Sequence, residues 1–216
     1  MPPSLNQTDR DAFFMARALK LAEKGLYTTD PNPRVGCVIV KQDRILGEGW
    51  HRRSGGPHAE VEALAHIQEN ARGATAYVTL EPCCHHGKTP PCVAALIHAG
   101  ISRVVCATED PNPLVAGKGL KQLQDAGMEV QSGLMRAGSE ALNPGFFKRM
   151  RSGLPFIRSK IAMSLDGRTA MASGESQWIT GKDARRDVHY LRARSSAIMT
   201  GIGTVLADRP QLTVRL

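Results

Sequence analysis

One imidazole, two thiols and one carboxylate, supplied from three separate places, constrain this chain more than any other feature. They are His58 and Glu60 in His58-Ala59-Glu60, Cys83 after Pro82, and Cys92 after Pro91. Catalytic zinc sites keep three protein ligands and leave a fourth position for water, whereas structural sites close all four. Bound zinc lowers the pKa of that water to near ~7. His58 opens an apolar-periodic segment, residues 59–70, that reads as a helix. A histidine in the first turn can ligate the ion while Glu60 reaches the bound water and moves its protons. Two plainer readings compete. His58, Cys83 and Cys92 could be unrelated buried or surface residues, with Glu60 an ordinary surface helix residue, or the site could be closed by Cys84, His85 or His86, in which case Glu60 has no task.

Whatever fold forms must bring these points together, and the pattern along the chain shows how. Thr8 is placed to N-cap a helix over 9–24, with Gly25 at its stop. Residues 35–41 and 44–50 read as a hairpin turning at Gln42-Asp43, and 75–80 as a strand aimed at Pro82-Cys83. A helix opens at Cys92 and runs to 99. A strand at 103–107, a helix at 120–125 and a short strand at 128–131 follow. Strands alternating with helices imply a three-layer α/β/α sandwich on a mixed sheet. Two helix N-termini and one strand end can then converge on one ion, and the positive helix ends favour thiolate and hydroxide.

Beyond a basic connector over 140–153, a second unit begins. Residues 156–163 read as a strand, 182–194 as a helix and 196–200 as a strand. The domain boundaries expected are 1–147 and 148–216. The second stretch is too short for a complete dinucleotide-binding domain, which needs several βαβ units. Gly201-Ile202-Gly203 is only a fragment of a glycine-rich fingerprint.

Charge separates the same two parts. The net charge of +8 lies wholly in residues 148–216, with 13 basic and 5 acidic side chains, while 1–147 holds 15 of each. A neutral first part speaks against a nucleic-acid footprint, and the basic second part suits phosphorylated or dinucleotide ligands. No apolar run approaches the ~20 residues of a membrane span. A polar N-terminus without a signal-like segment points to a cytoplasmic location. Five cysteines, two in metal-like settings, fit a reducing compartment better than a disulfide framework. Cys37 and Cys106 lie in strand-like runs and read as buried structural thiols.

The H-x-E…P-C pattern is that of zinc nucleobase deaminases. There the second Cys usually stands three positions after the first; here it stands nine after, at Cys92. The stretch Pro82-Cys-Cys-His-His-Gly-Lys-Thr-Pro-Pro-Cys92, with Pro31-Asn-Pro-x-Val35-Gly36, Asp110-Pro-Asn-Pro113 and the run from Ser164 to Thr180, resembles the bifunctional riboflavin-biosynthesis deaminase/reductase family. The resemblance covers nearly the whole chain, and its motifs occur in order. It implies a cytidine-deaminase-like sandwich followed by the start of a dihydrofolate-reductase-like α/β domain. It implies Zn2+ at His58, Cys83 and Cys92, and Glu60 as proton shuttle. It implies a phosphorylated ribosylaminopyrimidine as substrate, with Asn32, His85 and Lys88 as candidate contacts and Thr89 a further one.

For the second domain the resemblance implies NADP contacts at Ala162, Trp178, Thr204 and Asp208. It implies reductase-substrate contacts at Ser176, Arg192, Leu212 and Arg215. Trp178 and Leu212 fit core packing equally well. Family members continue past residue 216 with segments that close the nucleotide site, so reductase activity is in doubt for a chain that stops there. Exposed strand edges in an incomplete domain would favour self-association. Two rivals remain: a nucleic-acid base deaminase, and a non-catalytic scaffold stabilised by zinc.

Overall fold

The structure, a computed structural model, describes residues 6–87 and 89–215. The chain divides into two compact units, one up to Phe156 and one from Ile157 on.

In the first unit, helix α1 (Gln7–Glu23) starts two residues earlier than the Thr8 cap predicts. Asn6 is the N-cap, and its side-chain oxygen accepts from the Asp9 N–H at 2.9 Å. The competition is local: Asn outranks Thr as a cap, and both lie within reach of the first turn. Strands β1 (Gly36–Lys41) and β2 (Arg44–Trp50) form the expected hairpin. Its corner residues Gln42 and Asp43 have φ of 51° and 59°, the left-handed pair that matches the twist of a tight hairpin. β1 also pairs antiparallel with β3 (Thr75–Val78), which pairs in parallel with β4 (Arg103–Cys106), as β4 does with β5 (Glu129–Ser132). The sheet order is β2-β1-β3-β4-β5.

The central strands are covered on both faces, which is why they read as continuous apolar runs. Cys37, Ile39, Ala76, Val78 and Val104 point to one layer, made by α2 (Ala59–Ala65), α3 (Cys92–His98) and α4 (Lys118–Asp125). Val38, Val40, Tyr77, Val105 and Ala107 point to the other, against Phe14, Met15, Ala18 and Leu21 of α1. Cys37 and Cys106 are fully buried, as their strand settings predict. This is the three-layer sandwich.

Glycines in β1 and β2 set how closely the helices sit. A Cβ on Gly49 would lie 2.3 Å from the Ala59 carbonyl oxygen, so α2 rests directly on β2. Helix α2 is shorter than the apolar period suggests. It tightens after Ala65, where Ile67 N–H donates to Leu64 O and His66 Nδ1 bonds Glu62 O. Helices α5 (Arg136–Leu142) and α6 (Pro144–Ser152) close the unit. Asn143 between them is fully buried and bonds both the N–H and the carbonyl of Arg34, at 2.7 and 3.0 Å.

The second unit contains α7 (Lys182–Ala193), as expected, and α8 (Ile202–Asp208), which the pattern does not predict. The strands expected at 156–163 and 196–200 do not form. Both segments carry strand-like composition, but neither finds a pairing partner, and a strand exists only through its ladder. No described residue of 157–215 is buried.

Candidate active site

The sandwich delivers the predicted ligands to one point. His58 is the N-cap residue of α2, Cys92 is the first residue of α3, and Cys83 lies five residues past the end of β3. His58 Nδ1 stands 3.2 Å from Cys92 Sγ and 3.4 Å from Cys83 Sγ. All three ligand atoms lie within 4.8 Å of one another. Tetrahedral zinc, with Zn–S of ~2.3 Å and Zn–N of ~2.0 Å, needs its donors roughly 3.5 Å apart, so the set fits. Among the described residues no fourth His, Cys, Asp or Glu joins it. The competing closed site, with Cys84, His85 or His86 as fourth ligand, does not form among the described residues: Cys84 packs against the core, with Sγ 4.0 Å from Leu114 O.

The electrostatics suit a cation. Hydrogen bonding from Cys92 and His58 pulls the Cys83 thiol well below its usual range, against the opposing effect of burial. The Cys92 backbone N–H, free at a helix start, donates to Cys83 Sγ at 3.4 Å. On its other side, His58 Nε2 lies 3.4 Å from Thr89 Oγ1, the kind of partner that orients a ligating imidazole. Thr89 therefore serves the histidine. Glu60 is 3% exposed, and burial pushes its carboxyl up to about 7.

His58, Glu60, Cys83 and Thr89 line a cavity of about 520 Å³. Asn32 and His85 are in its wall, and the His85 Nδ1 is buried without a hydrogen-bond partner. Lys88 lies outside the described residues. Sequence reasoning missed His51. Its Nδ1–H donates to Pro57 O at 2.9 Å, so its Nε2 accepts from Asn32 Nδ2 at 3.0 Å. Burial lowers its pKa, consistent with that neutral form. Asp110 also lines the cavity, its carboxyl raised to about 6 by burial. The connector contributes Phe146, Arg149 and Met150 to the wall. A signal for Asp110 was present in the Asp110-Pro-Asn-Pro113 motif; none marked His51 or the connector.

The eight residues expected to serve a reductase are less gathered. Trp178 is 71% exposed under the Arg185 guanidinium, 4.3 Å away, so it is not core. Arg192 donates to Gln211 O and Thr213 O, both at 3.1 Å, and the Arg215 N–H donates to His189 Nδ1. Thr204 and Asp208 lie exposed on α8, Ser176 is exposed, and Ala162 and Leu212 are partly covered. A cleft of about 470 Å³ in this unit is lined by Ser164, Arg168, Ala170, Met171, Ala172 and Ile179, and by none of the eight.

Residues 8–108 match the cytidine and deoxycytidylate deaminase zinc-binding region, and 155–216 match the RibD C-terminal domain. The riboflavin biosynthesis protein RibD of Escherichia coli is 65% identical over 206 residues, which are 95% of this chain and 56% of that protein. The Acinetobacter baumannii RibD structure superposes with a TM-score of 0.94 at 57% identity, covering 97% of this chain and 59% of that one. A Thermotoga maritima diaminohydroxyphosphoribosylaminopyrimidine deaminase/5-amino-6-(5-phosphoribosylamino)uracil reductase superposes at 0.93 with 45% identity, over 98% and 61%. The chain thus spans a little over half the length of these relatives. With both of its units matched in order, it is similar over nearly its whole length to the RibD riboflavin biosynthesis proteins.

Proposed function

We propose that the first unit hydrolytically deaminates 2,5-diamino-6-(5-phosphoribosylamino)pyrimidin-4-one, with Zn2+ held by His58, Cys83 and Cys92. The observation that carries this reading is the buried Glu60 carboxyl set beside a three-donor cluster in the wall of a cavity large enough for such a substrate. Bound zinc supplies Lewis acidity, lowering the pKa of water to near ~7. Glu60 takes one proton from water and passes it to a ring nitrogen, then takes the second from the newly added hydroxyl and passes it to the amine, which leaves as ammonia. Such proton transfer contributes roughly 10²–10⁴-fold. Asn32, with its amide N–H turned to His51, keeps its carbonyl oxygen for a ring N–H or amino group. His85 and Lys88 are assigned to the ribosyl phosphate.

In this reading, residues 1–147 are the deaminase domain and 148–216 the opening of the reductase domain. Ala162, Trp178, Thr204 and Asp208 belong to its NADP site, and Ser176, Arg192, Leu212 and Arg215 to its substrate site. The protein works in the cytoplasm on a small phosphorylated molecule, without nucleic acid. Among the described residues no helix is long and apolar enough to cross a membrane.

The test is ammonia release from the diaminopyrimidinone ribosyl phosphate by the zinc-loaded chain and by Glu60→Gln. The parent releases ammonia, and the variant keeps its zinc but slows by at least about 10². Full activity in the variant would rule out Glu60 as the proton shuttle, and a zinc-loaded parent that releases no ammonia would favour the scaffold reading.

A further inference from the structure

Glu81 stands one residue before Pro82-Cys83 and is 3% exposed. Both of its carboxylate oxygens are spent on backbone N–H groups from a distant part of the chain. Oε2 accepts from Asp110 at 3.0 Å and Gly117 at 2.9 Å; Oε1 accepts from Gly119 at 2.9 Å and Leu120 at 3.3 Å. Gly119 and Leu120 are the second and third residues of α4, whose own N-cap, Gly117, has no side chain to satisfy them. Glu81 is therefore the cap of α4, reaching over from the strand end, and the positive helix terminus suits its charge.

The contact is close on the side facing Cys83. A Cβ on Gly119 would lie 2.2 Å from Pro82 O, so the first turn of α4 presses on the peptide just before the thiol residue. Beyond it, Cys83 O accepts from Val93 N–H at 3.2 Å in α3. Residues 81–83 are thus fastened at one end by α4 and the 110–117 loop, and at the other by α3.

We propose that Glu81 is a positioning residue for the metal centre, fixing where the Cys83 thiol stands relative to His58 and Cys92 and where Asp110 stands in the cavity wall. It borders the cavity, but its carboxylate is spent on backbone N–H groups, so it acts through the backbone on both sides. The inference rests on the zinc reading above.

The test compares the parent chain, Glu81→Gln and Asp11→Asn for zinc release to a chromogenic chelator and for the absorption spectrum of the Co2+-loaded protein. Gln keeps the size of Glu but turns one accepting oxygen into an NH2 that faces two N–H groups. Zinc release from Glu81→Gln should quicken by on the order of 10–100-fold, with shifted Co2+ bands. Asp11→Asn, a buried change on α1 facing the sheet, should lower Tm and leave both readouts at the parent's values. Parent-like release and spectrum in Glu81→Gln, or equal acceleration in Asp11→Asn, would overturn the proposal. If Glu81→Gln does not fold, Gly119→Ala takes its place: it keeps the carboxylate, pushes on Pro82, and should show the same shifts, with parent-like readouts again overturning the idea. A parent that takes up neither metal sinks the zinc reading and this inference together; a loaded parent with unchanged variants sinks this inference alone.

Discussion

Cys83, Cys92 and His58 are brought to one point by different local devices. Cys83 is held toward its thiolate by hydrogen bonding from the Cys92 side chain, from His58 and from the Cys92 N–H, against the effect of burial. Cys83→Ala removes one of the three donors, so the variant should lose both bound zinc and deaminase activity, read by metal analysis and ammonia release. An active, zinc-free variant would rule out the mechanism. Asn32 makes a different prediction, because its contribution is orientation through a neutral hydrogen bond. Asn32→Ala should raise KM by roughly 5- to 10-fold while leaving zinc content intact. The grouping of His58, Cys83 and Cys92 was legible in the sequence from residue type and motif order, although the Cys83–Cys92 spacing departs from the usual one. His51 was not, because a histidine at a strand end has no local mark; only the approach of Asn32 and Pro57 gives it a role.

Helices and strands were legible to within a residue or two wherever their apolar period was matched by burial. The exceptions have physical causes. Helix α4 begins two residues before the apolar pattern does because Glu81 caps it from outside. The α1 layer is tied to the sheet by a polar cluster that the apolar period hides. Asp11, 3% exposed, accepts from Tyr77 at 2.7 Å and takes two bonds from Arg103 at 2.8 Å. Burial alone would raise the Asp11 carboxyl, but bonds from Arg103, Tyr77 and Gln7 outweigh it and hold the carboxyl below its ordinary value of 3.8. A carboxyl lowered on folding adds stability above its unfolded pKa and loses it as pH falls through the folded value. Asp11→Asn should therefore cost about 3 kcal/mol at neutral pH, by chemical denaturation of the first unit. The difference from the parent should shrink in strong acid.

The two units differ most in what they bury. The first has a core on both faces of its sheet, while no described residue from 157 to 215 is buried, and Ile157, Met199 and Leu206 are mostly exposed. Apolar burial is the main force opposing chain entropy, so the second unit has little to hold it. Amide hydrogen exchange should show slow protons across β1, β3 and β4 and fast ones throughout 157–215, including α7. The same chain should leave NADPH unoxidised in the presence of the deaminase product, followed at the nicotinamide absorbance. Slow exchange in α7 together with NADPH loss would show that the second unit forms a working site.

Residue order alone pointed to the His58, Cys83 and Cys92 cluster, to the family resemblance and to the α/β alternation, because ligand type and hydrophobic period are local properties. Tertiary contact decided what no window of sequence contains. Glu81 became the cap of a helix 37 positions away, and His51 and Asn32 became partners across 19 positions. The connector helix α6 became a cavity wall, anchored through Asn143 to Arg34 across 109 positions. The strands expected in the second unit illustrate the same point, since their β-prone residues find no neighbour there and pairing is a property of two segments.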